Sequence, residues 1–464
     1  MSPSNPRSTE RRGEEQATAV AADRRPSPAA AGGGPLTSRP ILEALTLIAQ
    51  ATKLLFANGE TTERTIAAGE RIGGALGYRS TVVARWDGLT VRLEGEAGPE
   101  HDVVPVMPAG IDMNRVIEAE GAVDALCARL STTEATRSGL ERAAALPPAS
   151  LARFVLAAAV GAAALSVVFG AEHPVSIALI ALSAGLGALV RRGLAGLTRN
   201  LFVQPFCAAL FAGVIGGLAQ RHELSSPQAL VAICPCMVLV PGPHFLNGLV
   251  DLLRARVSLG ASRLGFALLV VAAISTGLLI GLWAVGAALP VTPPSRPIGL
   301  PLDVAAAGFA VFAYTSFYSM PWRQLPLPIL AGMAAHALRW SLLAFGASAF
   351  VAAFFACLFV GLVMTPLGNR LRVPFASLSF AGVVALIPGV FLFRLAAALV
   401  QVAGLGEKAP QALVSIILGE GATATLILMA MALGLIGPKL LWEQRGRAPV
   451  RATSGGGRAH GDPR

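Results

Sequence analysis

The spacing of apolar and polar positions divides the 464-residue chain into three stretches. Residues 1–38 contain no apolar run, which predicts a disordered tail rather than a signal peptide. From Pro40 a helical period begins. Ile41, Leu45, Ile48, Thr52 and Leu55 share one face, and Asn58-Gly59 stops that helix. Thr61 or Thr62 caps a second helix through Ile66, Ile72 and Leu76 to Gly77. Two alternating runs, Thr81–Arg85 and Leu89–Leu93, flank Trp86-Asp87-Gly88 and read as a hairpin. Asp102–Val106 adds a third strand, Asp112 caps a helix to Leu130, and a polar helix through Arg142 ends at Pro147-Pro148. These elements predict a small α/β domain.

From Leu151 the pattern becomes long and apolar. Ten segments stand out: 151–170, 174–190, 201–219, 228–250, 264–289, 302–320, 326–346, 348–366, 375–402 and 410–437. Most reach the ~20 residues needed to cross a bilayer. Within the fourth lies VLVPGPHFLNGLVD, where Pro241 removes a backbone donor and Gly242 loosens the turn, so a helix should break there. The ninth carries the same signal at Pro388-Gly389, 147 residues later.

That offset recurs. Pro227 maps to Pro374, Ala184-Gly185 to Ala331-Gly332, Arg192 to Arg339 and Thr276 to Thr423. Each copy holds five spans, and an odd count makes the second copy enter the membrane from the opposite side. The expected fold is therefore an α-helical membrane protein of ten transmembrane helices in two inverted five-helix repeats, with a small N-terminal cytoplasmic α/β domain. Broken helices at matched places point to a substrate site between the copies of a secondary transporter. The expected divisions are 1–38 (tail), 39–147 (α/β domain), 148–295 and 296–438 (membrane modules) and 439–464 (basic tail).

Composition agrees with a membrane protein. Charged residues make up 14% of the chain, against roughly 25% in soluble domains. Of the 27 acidic residues, 19 precede residue 151, against 16 of the 37 basic ones, so the basic excess belongs to the membrane region. Inner short loops carry Arg191, Arg192, Arg199, Arg254, Arg256, Arg263, Arg323, Arg370 and Arg372. Outer loops and span ends carry Arg221, Arg296, Arg339 and Lys408. The bias predicts a multi-pass protein of the bacterial cytoplasmic (inner) membrane with both termini on the cytoplasmic side. No basic stripe with interleaved aromatics argues for nucleic acid. The five cysteines form no disulfide framework, and Cys234 and Cys236 do not share a helix face, so no metal or other cofactor is expected. No nucleophile–base pair, P-loop or dinucleotide signature appears, so neither an enzyme nor ATP-driven transport is expected.

LLFANGETTERTIAAGERIGGALGY, the Asp-Gly hairpin and the five spans with LVPGPHFLNGLVDLL resemble the threonine/serine exporter family. Leu302 through VALIPGVF to Gly437 resembles that family's other membrane module. The resemblance implies export of small hydroxy amino acids, driven by the proton motive force. Related two-subunit members are associated with dicarboxylate export, so a succinate-like substrate is the alternative. His244 after the first Pro-Gly-Pro departs from the family pattern.

Several residues are candidates for the chemistry. Glu420, between Gly419 and Gly421, lies deep in the tenth span, where an ionisable group costs at least a few kcal/mol. Desolvation there suits a proton carrier, and a carboxyl that merely holds helices together is the plainer account. Asp251 closes the fourth span, either as a second proton or ammonium site or as an interface residue paired with Arg254 or Arg256. His244 could titrate or simply pack. Asn247 maps onto Arg394, and together they suit a carboxylate, though Arg394 could instead snorkel. Half-helices starting after Pro241-Gly242 and Pro388-Gly389 present free N–H groups to a carboxylate, unless each proline is only a kink. Thr276 and Thr423 could bond a substrate hydroxyl or a helix carbonyl. His336, in AGMAAHALRW, reads as helix packing more than as a proton relay. The expected partners are a small amino acid, protons and the lipid bilayer, and the pattern is compatible with a homo-oligomer. The rival from another class is a membrane-anchored sensor or enzyme acting through the α/β domain.

Overall fold

The computed structural model describes residues 38–96, 98–224, 229–290, 298–371 and 373–446. Residues 1–37 of the expected tail 1–38, residues 447–464 of the expected basic tail 439–464, Pro227 of the Pro227/Pro374 match, and the loop residues Arg296 and Arg372 lie outside them.

The α/β unit comes first. α1 (Ser38–Ala57) and α2 (Thr62–Ala75) precede β1 (Arg79–Ala84), β2 (Gly88–Gly95) and β3 (Gly98–Pro105), and α3 (Met113–Cys127) and α4 (Thr133–Ala145) follow. The three strands form one antiparallel sheet in chain order. Leu89, Val91 and Leu93 alternate to one face of β2 and are fully buried, where α1 and its Leu47, Ile48 and Leu55 pack. β3 starts earlier than its alternation predicts: Pro99 pairs with Glu94 and His101 with Arg92. That half of β3 is exposed on both faces, so no apolar period marks it. Asp112 caps α3 by accepting from the Arg115 N–H, as its position predicts.

The membrane region follows as two sets of helices. The first is α5 (Leu151–Val168), α6 (Pro174–Ala195), α7 (Val203–Arg221), α8 (Leu230–Met237), α9 (Gly242–Leu253) and α10 (Val257–Ala284). The second is α11 (Leu300–Phe317), α12 (Pro326–Ala344), α13 (Ala349–Leu371), α14 (Phe375–Val383), α15 (Gly389–Leu405) and α16 (Gln411–Gly446). Among the described residues, ten helices are long and apolar enough to cross a membrane. One is α1, whose apolar face is taken by the sheet. The other nine lie in the two sets, and the bent pair α8–α9 supplies a further broken span with a 57° bend.

Each set repeats the same neighbours. α7 packs on α10 as α13 packs on α16, and α6 on α8 as α12 on α14. Glycine makes the tightest of these contacts. A Cβ on Gly281 would meet the Leu210 carbonyl and one on Gly434 the Phe354 carbonyl, both well inside contact distance. The first helices of the sets, α5 and α11, pack together and run antiparallel: Arg153 at the start of α5 donates to the Met320 carbonyl beyond the end of α11 at 2.7 Å. The α/β unit sits at that end, where the Met113 N–H donates to the Tyr318 carbonyl at 2.7 Å.

Candidate functional site

Both predicted breaks are present and have the same local geometry. Pro241 has φ −80° and ψ 64°, and Pro388 has φ −77° and ψ 50°. In each case the following glycine donates two residues back, Gly242 to Val240 and Gly389 to Ile387, both at 2.8 Å. These are inverse γ-turns centred on proline. The two breaks face each other. A Cβ on Gly242 would lie 2.2 Å from Ile387 Cδ1, and one on Gly389 would lie 3.4 Å from Val240 Cγ2 and Met237 Cγ.

One expectation about these breaks needs correcting. The start of α9 offers no free amides: Gly242 is committed to its γ-turn, Pro243 has no N–H, and His244 donates to the Pro241 carbonyl at 3.1 Å. The second proline of Pro-Gly-Pro removes the donor a carboxylate would need. The start of α15 has Val390 and Phe391 in the corresponding places, and both carry an N–H.

A cavity of about 260 Å³ reaches the first break from the side of the α/β unit. Ala109 and Ile111 of that unit line it, with Arg191 of α6, Gln204 of α7, Pro241, His244 and Tyr314 of α11. The Tyr314 hydroxyl donates to the Met237 carbonyl at 3.1 Å and so occupies a carbonyl that the break frees. Arg191 lies beside the Phe154 ring, 5.4 Å from its centre, and its Nε is buried without a hydrogen-bond partner. His244 is 7% exposed, stands 5.0 Å from the Phe266 ring, and has no partner of hydrogen-bonding geometry on either ring nitrogen. The sequence offered Arg191 only as one more inner-loop charge. Its place beside Arg192 at the end of α6 was the available signal.

The other candidates fall into separate clusters. Asp251 is 1% exposed. It accepts from Thr62 Oγ1 at 2.9 Å and lies 3.4 Å from Arg263 Nε and 3.5 Å from Arg256 Nη1. Asn247 donates to the Gly59 carbonyl at 3.3 Å. Glu63 of α2 meets Arg256 at 2.7 Å and Arg254 at 3.2 Å. These contacts therefore fasten α9 and the turn after it to the Asn58–Glu63 corner of the α/β unit. Burial alone would raise the Glu63 carboxyl, but the Arg256 hydrogen bond and the Arg254 charge hold it below its ordinary range. Glu60, fully buried in the same corner, is pushed up by desolvation against the pull of Arg64.

Arg394 and Glu420 meet each other at 2.8 Å, joining α15 to α16. Asn247 and Arg394, paired in expectation, thus have different partners. Thr276 donates to the Ala272 carbonyl at 2.8 Å, the helix-bonding role. Thr423 is exposed. Among the described residues, no cluster of His, Cys, Asp or Glu could hold a metal.

Comparison with known proteins matches two family models. A threonine/serine exporter model covers residues 46–284, and a second, described as threonine/serine exporter, ThrE, covers residues 303–441. A curated protein of Mycobacterium tuberculosis, named "Probable threonine/serine exporter", is 27% identical over 208 residues, which is 42% of this chain. The matched region spans 39% of that relative's length. No solved structure matches.

Proposed function

The chain belongs to the threonine/serine exporter family, and from that premise we propose that it exports small hydroxy amino acids from the cytoplasm by proton antiport. The cavity between the α/β unit and the Pro241 break carries this reading. Its volume, about 260 Å³, is below the 300–1,000 Å³ of drug-sized pockets and suits a small metabolite. Arg191 is the cation for the substrate carboxylate. The ammonium meets the backbone carbonyls freed at Val238 and Leu239, whose helical donors would be Gly242, turned to Val240, and Pro243, which has no N–H, and His244 lies within reach of the side-chain hydroxyl.

The repeated neighbours, the antiparallel α5 and α11 and the matched γ-turns support an inverted repeat of two five-span modules. In that reading the α/β unit is cytoplasmic and the cavity is the inward-open half of the pathway. Rocking of the modules about the paired breaks would close it and open the opposite side. Asp251 and Glu420 remain the proposed proton-coupling carboxylates, and each lies against arginine.

The test is efflux from proteoliposomes loaded with threonine, serine or succinate, with an imposed proton gradient and with an uncoupler. Threonine or serine flux that the uncoupler abolishes is expected. Succinate flux alone would move the substrate to the dicarboxylate alternative, and flux indifferent to the gradient would make the protein a passive channel.

A further inference from the structure

A second cavity lies across the breaks from the first, lined by His336 and Arg339 of α12, Phe169 after α5, and Pro388 and Val390 at the second break. Asp303 enters this region from the first turn of α11. Its Oδ2 lies 3.1 Å from His336 Nδ1, and the two residues are 2% and 1% exposed. Tyr318, fifteen residues on, touches the α/β unit. At 1.5 Å per residue Asp303 stands about 22 Å from that contact, toward the far face.

We propose that Asp303 and His336 form a proton-binding couple reached from the face opposite the α/β unit. This deepens the antiport reading and rests on it. A carboxylate on Nδ1 fixes the ring with its N–H toward Asp303 and leaves Nε2 as the acceptor. Nε2 is buried without a hydrogen-bond partner, in the wall of the cavity. That cavity measures about 30 Å³, room for a water molecule or two and not for an amino acid. A proton arriving from the far side binds Nε2 and makes an imidazolium, which keeps its Nδ1–H on Asp303. The cluster of Asp303, His336 and Arg339 then passes from net zero to +1. Cation repulsion from Arg339 favours release once the path turns inward.

The charged groups that face this ring are few. α11 brings Asp303 and α12 brings Arg339, the two residues that act on it electrostatically. α14 has no titratable side chain, and the Arg370 of α13 lies at that helix's other end. On α15 and α16, Arg394 and Glu420 are held by each other. The Asp303–His336 couple has no arginine at salt-bridge distance among the described residues, in contrast to Glu420 and Asp251.

The experiment uses the full chain in nanodiscs and in proteoliposomes, with His336→Gln and Asp303→Asn. Histidine nitrogen NMR, assigned by the signal lost in His336→Gln, should show Nε2 gaining a proton as pH falls from about 8 to 5. Asp303→Asn should move that titration by tenfold or more in proton concentration. In proteoliposomes both variants should keep downhill exchange, which also reports folding, while gradient-driven accumulation falls to unity. A His336 that keeps one protonation state over this range overturns the proposal, as does His336→Gln concentrating substrate like the wild type. Should the wild-type protein move no hydroxy amino acid, the export reading fails, and the NMR titration still decides whether the couple binds a proton.

Discussion

Arg394 Nη2 and Glu420 Oε1 lie 2.8 Å apart, and this contact ties α15 to α16. In the first set of helices a pair of opposite polarity ties α9 to α10, Asp251 on α9 against Arg263 on α10 at 3.4 Å. Removing one partner of a buried ion pair leaves an uncompensated charge and costs about 3–5 kcal/mol, whereas removing both costs much less. Glu420→Gln and Arg394→Gln should each lower thermal stability, and the double variant should recover most of it. Thermal unfolding in detergent checks this. A double variant that is stable but transports without pH dependence would assign Glu420 to proton coupling as well. A stable double variant with normal pH dependence would leave it a structural tie.

Glu63 gives the docking of the α/β unit a pH dependence of known sign. Its carboxyl is held below the ordinary range by Arg256 and Arg254 when docked. A depressed docked pKa means the contribution is complete above the ordinary carboxylate pKa, 4.5, and is lost as pH falls through the docked value. Docking should therefore be flat near neutrality and weaken below about pH 4.5. Glu63→Gln should remove the dependence and cost about 1–2 kcal/mol of docking. Protease cleavage at the Pro147-Pro148 linker, followed against pH, reports the undocked state.

The elements were legible where one local signal sufficed. Ten long apolar runs, an Asp-Gly hairpin, the Asp112 cap and two Pro-Gly breaks each need only a short window of sequence. The partners were not legible, because tertiary contacts set them. Asp251 bonds to Thr62, 189 positions away, and nothing in VLVPGPHFLNGLVD announces that. The free amides predicted after Pro241 fail for a reason visible in the same window: Pro243 lacks the N–H, and the γ-turn takes the one on Gly242. Asp303 and His336 are 33 positions apart, and each alone reads as an unremarkable polar residue in an apolar helix.

Arg191 and His244 share one cavity but should fail differently. Arg191→Gln removes the cation facing the substrate carboxylate, so half-saturation for threonine should rise by tenfold or more, about 1.4 kcal/mol or above. His244→Gln keeps a hydrogen-bonding side chain and should change the preference between threonine and serine more than the affinity. Counterflow in proteoliposomes with each amino acid separates the two effects. Equal, small effects from both variants would place the substrate elsewhere.

The contact between the two breaks makes an asymmetric prediction. A Cβ on Gly242 would lie 2.2 Å from Ile387 Cδ1 and 3.2 Å from Val384 Cγ2, so one of the helices must shift or Ile387 must change rotamer. A Cβ on Gly389 would meet its neighbours at 3.4 Å, ordinary contact. Gly242→Ala should therefore cost about 1–3 kcal/mol, the usual penalty for overpacking, and Gly389→Ala far less. Ile387→Val removes the Cδ1 atom that a new methyl would strike. Combined with Gly242→Ala it should recover most of the loss, although Ile387→Val alone costs about 0.5–1.5 kcal/mol. Thermal unfolding of the four variants gives the coupling energy directly. If Gly242→Ala and Ile387→Val are additive, the breaks are not in contact in solution, and rocking of the modules about this point loses its pivot.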